Sequence, residues 1–376
     1  MAGIYFHIPF CKQACHYCDF HFSTSKQGMA ELLQAMLREM ELRKDYLQQQ
    51  PINTLYFGGG TPSLVPISDI QYLIDKAHQL GVVNADAELT LEANPDDLTH
   101  KKLQELRKAG INRLSIGVQS FDDSVLQWMN RSHKSSQSEY AVKASQDAGF
   151  ENITIDLIYA VPVQSDEVWK ENLRRAFELN VPHISAYNLT IENKTYLGHL
   201  HKKGKLQEVD QEEAATQFLM MLEMMMANGF EQYEVSNFCK EKKYSRHNTA
   251  YWQGTHYLGI GPSAHSYNTE TRQWNVANNA QYTRSILKNE VPAEIEVLTR
   301  EMKINEALMT GLRTMWGVDV QHLKQLHQFD VMLENKEQIE MLIEQADMKL
   351  ENGNLVLTTS GLLKADAIAA SMFVSA

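Results

Sequence analysis

The stretch HIPFCKQACHYCDF, residues 7–20, sets Cys11, Cys15 and Cys18 in a C-x3-C-x2-C array directly after the apolar run GIYFHIP at 3–9. The chain has only 4 cysteines, far too few for a disulfide scaffold, and three of them crowd between positions 11 and 18. Three thiolates on one short loop grip three corners of a cubane iron-sulfur cluster and leave one iron without a protein ligand, open to a small molecule. The spacing alone admits two other readings. One is a Cys3His zinc site completed by His7, His16 or His21; the other is three unpaired structural cysteines.

Downstream, the β-rich runs NTLYFGG (53–59), ELTLEAN (88–94), RLSIGVQ (113–119), NITIDLIYAVP (152–162) and HISAYNLT (183–190) alternate with helical patterns such as Leu32, Leu33, Met36, Leu37, Met40 and Leu47. Such alternation predicts a parallel sheet. Six units are too few to close an eight-stranded barrel. The expected fold is therefore α/β, a partial (βα)6 TIM-type barrel, with a doubly wound sheet as the alternative. Gly58 to Thr61, Glu92, Asn94 and Gln119 follow these strands and fall at the C-terminal edge, where parallel α/β folds gather ligands. Asp156 alternates with Ile155 and Leu157, so it faces the rim or serves as an exposed polar partner.

The rest of the chain is less regular. A Met-rich helix around residues 218–226 reads as core filling, Cys239 as a buried small side chain, and GIGPSAH (259–265) as a turn near the mouth of a site, without a catalytic triad. From Leu298 a helix at 301–314, a second at 320–326, a third at 336–350, the strand NLVLTT and a final helix suggest a small winged-helix-like α+β domain. Its acidic helix (Glu334, Glu337, Glu340, Glu344) favours packing or partner contact over DNA reading. The expected divisions are a core over 1–230, a connecting region over 231–297 and a C-terminal domain over 298–376.

The formal charge over 376 residues is −12, which opposes non-specific adhesion to nucleic acid or anionic lipid. No run approaches the roughly 18 apolar residues of a membrane span, so no stable membrane insertion is expected. MAGIYFHIPFCKQ lacks the basic and apolar regions of a secretion signal. A cytoplasmic location follows as the expectation.

HIPFCKQACHYCDF and FGGGTPS, with the later segments in order, closely resemble radical S-adenosylmethionine proteins of the oxygen-independent coproporphyrinogen III oxidase-like group, over nearly the whole chain. The resemblance implies a [4Fe-4S] cluster on Cys11, Cys15 and Cys18. Its open iron is chelated by S-adenosylmethionine, which a reduced electron donor helps cleave to a 5′-deoxyadenosyl radical. It also implies that Gly59, Gly60 and Thr61 face the methionine end and that Glu92 accepts from ribose hydroxyls. Gln119, Arg131 and Asp156 then surround the ligand, with Tyr17 near the adenine and Tyr5 at the same rim. Read without the resemblance, the glycines are a tight turn and Glu92 is a solvated carboxylate.

Within that group two departures matter. The oxidases carry a further cysteine two residues after the third ligand, where this chain has Phe20, and they have a longer N-terminal extension. Both features resemble the haem-chaperone branch, as does His247-Asn248-Thr249-Ala250-Tyr251-Trp252, an H-N-x-x-Y-W motif. On this resemblance His247 is expected as an axial haem ligand and Tyr251 and Trp252 as flat apolar surface for the porphyrin. Arg246 and Lys243 are expected near the propionates. From residue chemistry alone the segment is equally an interdomain packing loop. The expected function is a chaperone that binds haem and passes it to a haem-accepting protein. The alternative is oxidative decarboxylation of coproporphyrinogen III in porphyrin biosynthesis, and a third class is a zinc-stabilised binding module.

Overall fold

Period-two alternation builds the centre of the molecule. The computed structural model describes residues 2–375. Six strands, β1 (Ala2–Ile8), β2 (Ile52–Gly59), β3 (Val83–Ala93), β4 (Arg113–Gln119), β5 (Asn152–Tyr159) and β6 (His183–Asn188), pair in chain order, all parallel. One face carries Ile4, Phe6, Ile8, Leu55, Phe57, Leu91, Ile116 and Ile155, all buried in the main core. Each fully buried side chain of this size contributes roughly 1.5 to 3 kcal/mol of transfer free energy. The alternate positions are polar: Tyr5 and His7 on β1, Thr54 and Tyr56 on β2, Glu88 and Glu92 on β3, Arg113 and Ser115 on β4, Asp156 on β5. The sheet therefore has one apolar face packed in the core and one face of polar chemistry.

The sheet stays open, ending in unjoined strands, and it is larger than the six units expected. Residues 231–297 add β7 (Glu231–Glu234), β8 (Asn237–Cys239), β9 (His256–Ile260), β10 (His265–Tyr267), β11 (Thr271–Asn275) and β12 (Ala293–Val297). β8 and β7 extend the β6 edge antiparallel, β9 lies parallel to β1, and β10 to β12 follow antiparallel beyond it. The stretch expected to connect thus builds both margins of the sheet. Its strands are short and polar (EQYE, TRQWN, AEIEV), so no apolar run announces them. Cys239 is fully buried in β8.

A buried polar knot fixes the β9 margin. Glu39, fully buried on the helix Met29–Leu42, accepts from Arg43 Nη1 (3.2 Å), Asn275 Nδ2 (2.7 Å), Tyr282 Oη (2.5 Å) and the Gly261 amide (2.8 Å). These four bonds tie the GIGPSAH turn to the first helix. In the Met-rich helix Gln211–Ala227, Met221 and Met225 are core residues while Met226 is exposed.

The C-terminal residues form their own core around Ile304, Leu308, Leu323, Leu342 and Leu355. Helices Arg300–Leu312, Val320–His327 and Lys336–Glu344 pack with a three-stranded antiparallel sheet, β13 (Val318–Asp319), β14 (Met348–Glu351) and β15 (Asn354–Leu357). The third helix stops at Glu344 instead of running to Leu350, because Met348 already begins β14. Among the described residues no helix is long and apolar enough to cross a membrane.

Candidate cofactor site

The cysteine loop is seated on the end of β2. The Gly60 amide donates to the Ile8 carbonyl and the Thr61 amide to the Phe10 carbonyl (2.8 Å each), while the Cys11 amide donates to Ser23 (3.0 Å) and the His16 amide to Met129 (3.0 Å). All three cysteines are partly exposed. Burial raises the Cys11 thiol, opposed by Thr61, and pushes Cys18 up to about 11. Arg131 Nη1 donates to Cys15 Sγ at 3.3 Å. Among the described residues no three His, Cys, Asp or Glu donors gather closely enough to hold one metal ion. A zinc site needs such a gathering, whereas a cubane takes its thiolates at separate corners.

The glycine run also serves the packing of the chain itself. Gly59 has φ +106, and a Cβ there would lie 2.7 Å from the His7 ring; at Gly60 a Cβ would lie 2.8 Å from the backbone of Ile8 and Phe10. The space these glycines leave is filled by the chain itself. They let the cysteine loop pack on β2. Thr61, also buried, sits in the same seat.

The rim is built by β3 to β5. Glu92 Oε1 accepts from Tyr56 Oη (2.8 Å) and Oε2 from the Gly59 amide (3.1 Å). Asp156 accepts from Ser115 Oγ at 3.3 Å. Among the described residues neither carboxyl forms an ion pair, although Arg113 and Arg131 act on Asp156 from beyond that distance. Burial pushes Glu92 up to about 7, with Asp156 adding to the rise and the Tyr56 bond opposing it. Burial likewise pushes Asp156 up to about 6, against bonds from Ser185 and Ser115. Two half-buried carboxyls without an ion-paired cation suit a ligand that brings positive charge and hydroxyl donors.

Arg131 and Gln119 complete the rim. Arg131 Nη2 donates to Asn94 Oδ1 (2.8 Å) and the Gly117 carbonyl (2.9 Å), and Nη1 reaches Tyr17 Oη at 3.4 Å. Its Nε is buried without a partner, an orphaned donor of the kind a bound anionic group satisfies. Gln119 stands at φ +66 where the β4–β5 register shifts, and its amide and Arg131 converge above Gly117. Tyr56 and Ser115 were not singled out from the sequence, although each sits on the polar alternation of its strand, whereas Asn94 stands at the rim as expected.

A cavity of about 1250 Å³ lies beside the cysteine loop, larger than the roughly 300 to 1,000 Å³ of ordinary small-ligand pockets. It opens between the sheet and the C-terminal helices and meets β1 at Tyr5 and His7 and the cysteine loop at Asp19, Phe20 and His21. Phe20 is 71% exposed there. Ser263 and His265 of the GIGPSAH turn lie on its wall, as do Tyr251 and Trp252. Glu92 and Asp156 line a separate polar pocket of about 50 Å³ behind Tyr56.

His247 is placed against the expectation. The helix Arg246–Trp252 starts under the Ser245 cap, with Glu88 accepting from the Arg246 and His247 amides (3.1 Å each). That docking turns His247 inward: it is 2% exposed, Nδ1 bonds Thr54 Oγ1 (2.7 Å) and Nε2 bonds Tyr251 Oη (2.8 Å). Its ring stacks on Tyr56 at 4.9 Å, and burial lowers its basicity to about 3. Both ring nitrogens are engaged, so His247 is not presented as an open ligand. Arg246 pairs with Asp86, and neither it nor Lys243 lines the cavity.

Residues 5–183 match the family model described as Radical SAM superfamily, and residues 298–363 match the one described as HemN C-terminal domain. The Bacillus subtilis protein "Heme chaperone HemW" is 36% identical over 85% of this chain and 85% of its own length. The Lactococcus lactis protein of the same name is 32% identical over 95% and 93%. The solved structure of coproporphyrinogen III oxidase (HemN) from Escherichia coli superposes with TM-score 0.86 at 23% identity, over 99% of this chain and 90% of that one; at that identity the likeness speaks for the fold.

Proposed function

From a chain that belongs to the radical S-adenosylmethionine superfamily and, within it, to the HemW family, we propose a haem chaperone that binds haem beside a cluster and S-adenosylmethionine site and delivers it to an acceptor protein. The relatives at 36% and 32% identity carry the name "Heme chaperone HemW". The observation that carries the reading on this chain is the pairing of two sites. The cysteine rim adjoins a cavity of about 1250 Å³ walled by Tyr251, Trp252 and Tyr257, flat surfaces suited to a porphyrin.

Cys11, Cys15 and Cys18 would hold the [4Fe-4S] cluster. Tyr5, Tyr17, Gly59, Gly60, Thr61, Glu92, Gln119, Arg131 and Asp156 would surround S-adenosylmethionine, the glycines by seating the loop. The cluster, when bound and reduced, supplies the electron for cleavage of the sulfonium. The chain's own residues do the rest. Arg131 offsets negative charge at Cys15, Glu92 and Asp156 receive the cationic end and the ribose, and Tyr56 and the Gly59 amide hold Glu92 in place. The unpaired Arg131 Nε and the two raised carboxyls without an ion-paired cation support this fit.

Phe20 argues for the chaperone over a coproporphyrinogen oxidase. It has no thiol for ligation or hydrogen transfer, and it stands exposed on the cavity wall as apolar surface. The proposal includes a cytoplasmic location, a reduced electron donor and the divisions 1–230, 231–297 and 298–376 as working units. Anaerobic preparation should yield about four irons and four sulfides per chain, lost in Cys15→Ser, and haem titration should saturate near one equivalent. Stoichiometric zinc in a colourless preparation, or haem binding that never saturates, would set the reading aside.

A further inference from the structure

We infer that the haem iron is ligated by His322, on the C-terminal wall of the large cavity, and that His247 is a positioning residue for Tyr251. The inference rests on the haem-binding reading above and assigns its iron ligand.

The cavity and its surround offer several imidazoles, and hydrogen bonds, ring contacts and neighbouring charges sort them. His7 Nε2 donates to the His21 carbonyl (2.9 Å) while Nδ1 accepts from Tyr5 Oη (3.2 Å), and His21 Nε2 bonds Asn279 Oδ1 (2.7 Å). His247 spends both nitrogens on Thr54 and Tyr251. His265 packs beside the Trp274 ring at 6.1 Å, and His327 lies half-buried with Lys303, His322 and Arg300 nearby. His322 is exposed on the cavity wall, and its ring enters no hydrogen bond, ion pair or ring stack among the described residues.

Its setting suits a macrocycle. The helix Val320–His327 is capped by Asp319, whose Oδ1 accepts from the His322 amide at 2.8 Å, so the backbone under the imidazole is fixed. Leu326, four residues on and therefore on the same helix face, is 62% exposed on the cavity wall beside buried Leu323. Tyr251, Trp252 and Tyr257 line the same cavity. A porphyrin held there would find leucine, aromatic rings and an imidazole among its lining.

An iron that brings four porphyrin nitrogens needs only one or two protein ligands. Charge sets the orientation. Asp19, Glu270, Glu306 and Asp319 line the cavity with a single lysine, Lys303, already paired with Glu270 at 2.9 Å. Propionates gain nothing by turning inward, so they are left at the mouth. His247 acts one layer back, holding the Tyr251 hydroxyl so that its ring keeps its place in the aromatic wall.

The test is haem titration of the anaerobically reconstituted full chain and of His322→Ala, His247→Ala, His265→Ala and His327→Ala at matched cluster content. The readouts are affinity and the spin-state signature of the iron by electron paramagnetic resonance. His322→Ala should lose the imidazole-ligated signature and bind haem about tenfold or more weakly, and free imidazole should restore the signature. The other three variants should keep it, with His247→Ala weakening affinity only. An unchanged signature in His322→Ala, or its loss in any other single variant, overturns the assignment. Failure of the unsubstituted chain to bind haem removes the haem reading itself, a separate result.

Discussion

Replacing Gly59 by alanine should unseat the cysteine loop while leaving the sheet folded. At φ +106 a side chain is held in left-handed backbone, which costs about 1 kcal/mol. Its Cβ would also lie 2.7 Å from two atoms of the His7 ring, so the ring must move. That ring bridges β1 to the loop through the His21 carbonyl at 2.9 Å and the Tyr5 hydroxyl at 3.2 Å, and each such bond is worth about 1 kcal/mol net. The sum is about 3 kcal/mol. Gly149→Ala is the control: φ is +85 and nothing lies within 4 Å of the added Cβ, so only the backbone cost of about 1 kcal/mol applies. Urea titration of both variants, with iron content after anaerobic reconstitution, separates the terms. Gly59→Ala should lose about three times as much stability as the control, and iron as well. Equal losses in the two variants, with full iron in both, would refute the claim that His7 and Gly59 fix the loop.

Other outcomes follow from buried groups. In the ligand-free protein Glu92 and Asp156, raised to about 7 and about 6, keep protons that the unfolded chain releases in the ordinary carboxylate range. They therefore lower stability as pH rises through those values. A cationic ligand reverses this, so thermal protection by S-adenosylmethionine should grow from about pH 5.5 to about pH 7.5; protection flat across that range would count against both carboxyls as contacts. Glu39→Ala leaves the Arg43 guanidinium buried without its carboxylate and deprives Asn275, Tyr282 and Gly261 of an acceptor. A loss of about 3 to 5 kcal/mol is expected, and a loss under about 1 kcal/mol in chemical denaturation would show that the knot does not hold the β9 margin.

Six parallel strands and the C-terminal rim were legible because alternation writes both faces into one string. ELTLEA sets Leu89 and Leu91 in the core and Glu92 toward the rim, and NITIDLIY does the same for Asp156. The outer strands escaped because Thr271–Asn275 and Ala293–Val297 are short, and the pairing that makes them strands comes from distant segments. The cysteine array was legible because its spacing is local. The roles of Gly59, Gly60 and His247 were not. What a glycine's missing Cβ makes room for, and which way a helix turns its first residues, depend on His7, Phe10 and Glu88 arriving from elsewhere in the chain. Only tertiary packing reveals that the H-N-x-x-Y-W helix offers its tyrosine and tryptophan to the cavity and keeps its histidine behind them.

The measurement that bears most directly on the account sets the two porphyrin chemistries against each other in one sample. Anaerobically reconstituted protein, with reductant and S-adenosylmethionine, is offered coproporphyrinogen III in one aliquot and haem in another; products are separated chromatographically and haem binding is followed by absorbance. The account predicts intact coproporphyrinogen III and saturable haem uptake near one equivalent. Conversion to protoporphyrinogen IX without haem uptake would contradict it.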